Sequence, residues 1–97
     1  MSLPTSSDNL YHILIPQIRH ILLALWDPIG IGHLDFMQDE YDDYIPRVLE
    51  IISAPHSQPS YIQDYLHYVE IDYMGLEPNL ANIHQTVDAL WKISHPI

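Results

Sequence analysis

Between positions 35 and 43, five carboxylates stand within nine residues: Asp35, Asp39, Glu40, Asp42 and Asp43, interleaved with Tyr41 and followed by Tyr44. Carboxylates at this density can ligate a cation, form an acid–base pair or face a basic surface. A calcium loop of the EF-hand kind needs alternating acids, a central glycine and a terminal glutamate. The stretch has no glycine and a different spacing. An acid–base pair needs a pocket to work in, and a chain this small has little volume for one. A contact surface remains: carboxylates pair with Arg or Lys, and tyrosine adds rigid contact area. The same acids would also suit the start of a helix, whose N-terminal end favours negative charge. The two readings are compatible.

Other chemistry is poorly provided for. Seven histidines are present, but no H-E-x-x-H occurs. The only one-turn pairing of note, His67 with Glu70, runs in the reverse order to the Glu-x-x-His of di-iron bundles and occurs once. No G-x-S-x-G elbow presents a serine. Gly30-Ile31-Gly32 lacks the third glycine, the lysine and the preceding strand of a phosphate-binding loop. The expectation is a protein that is not an enzyme and carries no cofactor and no metal. Seven tyrosines are the second unusual feature. Tyr61, Tyr65 and Tyr68 fall on one face at i, i+4 and i+7, which suits either core packing with exposed hydroxyls or an aromatic contact face.

Composition narrows the partner. Thirteen acids face three cations, for a net charge of −10 with His neutral. Arg19, Arg47 and Lys92 alone cannot assemble the positive footprint that nucleic acid requires. Direct contact with DNA, RNA or an anionic membrane is disfavoured, and a basic protein partner is favoured. No cysteine is present, which removes disulfides and thiolate chemistry and leans towards a cytoplasmic location. The N-terminus has no signal-peptide pattern, and the longest apolar run, residues 21–26, is far short of a membrane span.

These residues must be carried on helices. Ninety-seven residues make a single domain, 1–97, with the first seven or so expected to be flexible. Apolar residues recur at helical spacing in four segments. The first spans about 8–26, with Leu10, Leu14, Ile18, Ile21, Leu22 and Leu25 in its stripe; Pro16 should kink or split it. The second spans 38–53, with Pro46 disturbing it near Tyr44. The third spans 59–74, opened by Pro59 and closed by Gly75. The fourth spans 79–94. The fold class is therefore all-α, a compact bundle of four to five helices. The expected core is Leu14, Ile18, Leu22, Trp26, Val48, Ile52, Ile62, Leu66, Val69, Ile83, Val87 and Leu90. In the loop 26–32, Ile29 and Ile31 should tuck inward, and the two glycines allow tight or left-handed backbone conformations.

Three pieces carry a resemblance: Leu25-Trp26-Asp27-Pro28-Ile29-Gly30-Ile31, then Asp39-Glu40-Tyr41-Asp42-Asp43-Tyr44, then Tyr65-Leu66 with Met74-Gly75-Leu76. In order and spacing the chain resembles a group of small bacterial helical proteins, over about residues 10 to 93. The group includes YugE-like proteins and immunity proteins of contact-dependent growth inhibition systems. The resemblance implies a small α-helical cytoplasmic protein without catalysis. Its narrower implication is an immunity protein that binds a cognate toxin domain, often a nuclease, and occludes its active site. The acidity agrees, because nuclease clefts are basic. A small regulatory or adaptor protein is the alternative. The partner-binding residues expected on either reading are Asp35, Asp39, Glu40, Tyr41, Asp42, Asp43 and Tyr44.

Overall fold

Four helices and two helical extensions make up the structure, a computed structural model that describes residues 6–95. Helix α1 is Ser6–Ile21, α2 is Ile45–Ser53, α3 is Pro59–Tyr68 and α4 is Leu80–Ser94. No strand occurs among the described residues, and no helix is long and apolar enough to cross a membrane. Helix α1 packs on α2 and α4, and α3 packs on α4 and α2. The twelve expected core positions are all buried, joined by Ile21, Leu23, Ile31, Tyr41 and Ile45. The expectations for residues 1–5 and for the Leu10 side chain lie outside the described residues; residues 6 and 7 are already helical.

Pro16 does not split α1, which continues through it to Ile21. The second helix is shorter than its periodicity suggests. Residues 38–41 form a turn, Asp42–Tyr44 a 3-10 turn, and α2 starts only at Ile45. Pro46 explains the boundary. It has no N–H to donate into a preceding turn, so it fits the opening of a helix and not its interior, and it stands at the first positions of α2.

Helices α1 and α3 each end in a π turn, Leu22–Trp26 and Val69–Tyr73. Both close on i→i−5 bonds. The Asp27 amide donates to the Leu22 carbonyl at 2.8 Å, and the Met74 amide to that of Val69 at 2.8 Å. The wider turn changes which side chains face inward. Along α3 the stripe Ile62, Leu66, Val69 would place Tyr73 next in the core. Instead Tyr73 is 70% exposed and Glu70 is buried at 1%. Gly75 takes the expected left-handed conformation at φ +70° and ends the extension. Asn79 caps α4 by accepting from the Asn82 amide at 3.0 Å.

The two π turns meet. The Trp26 indole Nε1 donates to Glu70 Oε2 at 2.6 Å, and the Asn79 amide donates to Oε1 at 2.9 Å. A fully buried indole and a buried carboxyl group thus satisfy one another, as burial of polar atoms demands. The same contact sets where α4 begins.

Candidate interaction face

The acidic segment is held from beneath by Asp27. This residue takes a left-handed conformation, φ 34° and ψ 59°, which aspartate tolerates better than most. Its carboxylate accepts from the Ile31 amide at 2.7 Å, the Gly32 amide at 2.9 Å and the Tyr41 hydroxyl at 2.7 Å. Tyr41 in turn accepts from the Ile29 amide at 3.2 Å. Burial pushes the Asp27 carboxyl up, but the Gly32 amide, the Tyr41 hydroxyl and the Ile31 amide outweigh it and hold it below the ordinary value. The loop 27–32 and the segment carrying Tyr41 are therefore riveted at one carboxylate. Gly30 takes a positive φ of +71°, which the glycines of this loop allow. Ile31 is buried, whereas Ile29 is 46% exposed, contrary to expectation. Its amide donates to the Tyr41 hydroxyl, so the loop is tied down there through its backbone and not through the Ile29 side chain.

Three of the seven sequence-derived site residues anchor the segment. Tyr41 is buried at 2%, with its ring 5.2 Å from that of Trp26. Tyr44 is half-buried and meets Trp26 edge-on at 5.5 Å and 89°. Asp42 receives Arg19 in a two-pronged pair, Nε to Oδ1 at 2.9 Å and Nη2 to Oδ2 at 2.8 Å. The other four, Asp35, Asp39, Glu40 and Asp43, are exposed. Sequence reasoning by charge passed over Phe36. It sits on the 3-10 turn Asp35–Met37 and is 80% exposed, while its neighbours Leu34 and Met37 pack against the core. The signal was available: Phe36 is the single phenylalanine of the sequence and stands beside Asp35 inside the acidic stretch.

The structure joins two surfaces that the sequence keeps apart. The Tyr44 ring meets that of Tyr73 edge-on at 6.1 Å and 85°. Tyr65 of α3 has its hydroxyl pushed up first by burial and then by the neighbouring Tyr44, with Tyr68 and Tyr73 adding to it and Arg47 opposing. The acidic segment and the tyrosine side of α3 are therefore one face. Two of the three cations are spent internally, Arg19 on Asp42 and Arg47 on Glu50, the latter at 2.8 Å. The face is consequently acidic and aromatic, with its anchors fixed in the core and its charges free. Among the described residues, no group of three or more His, Asp or Glu is placed to hold a metal ion. No family model, curated protein or solved structure matches this chain.

Proposed function

We propose that this chain is an immunity protein, which binds a cognate bacterial toxin domain, a nuclease, one to one and covers its active site. It acts in the cytoplasm by occupancy and not by catalysis. The observation that carries the reading is the exposure of Asp35, Asp39, Glu40, Asp43 and the Phe36 ring on one segment, which Tyr41 and Asp42 tie to the rest of the fold. A nuclease cleft is built to attract phosphates, so an ordered row of carboxylates competes for the same positive field. Phe36 supplies the kind of aromatic anchor that dominates interface energies. Tyr44 and Tyr73 extend the contact towards α3.

The deciding experiment is co-expression. If a toxin C-terminal domain is encoded beside this gene, cells producing it should survive when the chain is present and die without it; a neighbouring toxin that kills in both cases would count against the reading. With the purified pair, neutralising Asp35, Asp39, Glu40 and Asp43 together to Asn or Gln should slow association by about tenfold or more at low salt and flatten its salt dependence. Asp42 is left intact because of its Arg19 pair. A folded quadruple variant with the wild-type rate and salt slope would sink the reading of this face. Binding to a basic protein without protection of cells would favour the adaptor reading instead.

A further inference from the structure

Between α2 and α3 lies an open groove of about 630 Å³, lined by Arg47, Ile51, Tyr61, Asp64, Tyr65 and Tyr68. Tyr61 and Tyr68 are about half exposed, at 48% and 52%, while Tyr65 is more deeply set. Asp64 is exposed between them and makes no ion pair among the described residues. We infer that this groove seats an arginine side chain of the partner, an inference that rests on the reading that the partner is a basic protein.

The chemistry selects arginine. A guanidinium is planar and weakly hydrated, stacks on aromatic faces and pairs with a carboxylate through two parallel N–H bonds. Tyrosine faces beside a single unpaired carboxylate offer both contacts at once. Lysine, a compact and strongly hydrated charge, would use Asp64 but gain less from the rings. The groove's own cation does not defeat this. Arg47 Nη1 is held by Glu50 at 2.8 Å, and the adjoining depression brings Asp43 and Glu50 alongside. Of the groove's own two charges, Arg47 is thus already engaged by Glu50, and Asp64 is left to meet an incoming cation.

The probe is a blocked Gly-Arg-Gly peptide titrated into the isotope-labelled full chain and followed by amide shifts. Blocked Gly-Lys-Gly and Gly-citrulline-Gly serve as comparisons. The arginine peptide should shift residues 61, 64, 65 and 68 saturably, at least about threefold more tightly than the lysine peptide. The neutral citrulline peptide should not saturate. Asp64→Asn and Tyr68→Ala should each weaken binding about threefold or more, while Asp88→Asn, on exposed α4 surface, should not. If Tyr68→Ala does not fold, Asp64→Asn carries the test. Equal binding of citrulline and arginine, shifts confined to residues 35–43, or an unaffected Asp64→Asn would overturn the inference. Protection without peptide in the groove overturns the groove alone; peptide in the groove without protection overturns the toxin reading alone.

Discussion

Replacing Glu70 tests how the two π turns are tied together. Its two oxygens accept from the Trp26 indole and the Asn79 amide, and Trp26 is fully buried. In Glu70→Gln one oxygen survives and an NH2 group faces a donor. The variant should keep the indole bond and give up the Asn79 bond, which lies nearer the surface. One lost bond of this kind costs about 1–2 kcal/mol. Glu70→Met removes both acceptors at similar volume. The orphaned indole N–H alone costs ~1–3 kcal/mol, so the total should reach about 2–4 kcal/mol. For a domain of this size a 2 kcal/mol loss lowers Tm by about 8–16 °C. Urea unfolding followed by circular dichroism measures it. A double-mutant cycle isolates the contact. Trp26→Phe orphans a carboxyl oxygen, whereas Trp26→Phe with Glu70→Met leaves neither side of the indole–carboxyl contact orphaned and loses the Asn79 bond no more than Glu70→Met alone does, so the pair should cost at least ~1 kcal/mol less than the sum of the singles. A Glu70→Met variant within ~0.5 kcal/mol of wild type, or strict additivity in the cycle, would refute the reasoning.

Gly32→Ala should destabilise by about 1–3 kcal/mol, because its Cβ would stand against the Leu23 carbonyl oxygen, a backbone atom that cannot step aside. Gly30→Ala should cost only the ~1 kcal/mol of a left-handed alanine, since a Cβ there meets nothing; equal losses at the two glycines in urea titrations would contradict this. Asp27 has a folded-state pKa below its ordinary value, so the stability it contributes is present above about pH 3.9 and is lost as pH falls through the folded value. Asp27→Asn should therefore lower stability at neutral pH and flatten the acid limb of a Tm-against-pH curve. Phe36→Ala should leave Tm within ~0.5 kcal/mol equivalent of wild type while speeding dissociation from the toxin, and unchanged dissociation would remove Phe36 from the interface.

The core was legible because Leu14, Ile18, Leu66 and their companions repeat at helical spacing, and a buried stripe needs no further information. Residues 38–44 read as helix for the same reason, with Tyr41 and Tyr44 extending the stripe of α2. What holds Tyr41 is Asp27, fourteen positions away, and a local period carries no trace of that bond. Pro46 was the local clue, and the structure gives it the stronger claim. The burial of Glu70 and the exposure of Tyr73 were equally hidden. Both go with a π turn, and the partner that Glu70 meets there, Trp26, lies 44 positions away in the sequence. Of the interaction face, the charges were visible and the anchors were not, because anchoring is a tertiary property. Ile29 shows the limit from the other side: both loop isoleucines have their amides bonded, yet only Ile31 is buried, and apolar character alone did not separate them.

The π turns also set which parts of the chain can change in length. A π turn holds one residue more than an α turn, and each residue advances a helix by about 100°. Deleting Ala24, an exposed position whose identity matters little to packing, would let the stretch close with α geometry. Because the wider turn absorbs that residue, the α turn left behind would bring Trp26 and Asp27 back to nearly the same direction, with the indole still towards Glu70 and the carboxylate towards Tyr41. A deletion within Ser6–Ile21 or Pro59–Tyr68 has no such slack and turns every later side chain by about 100°. In descendants of this sequence, loss of one residue should therefore be tolerated at Ala24 or in the connection at 54–58 and be rare inside α1 and α3.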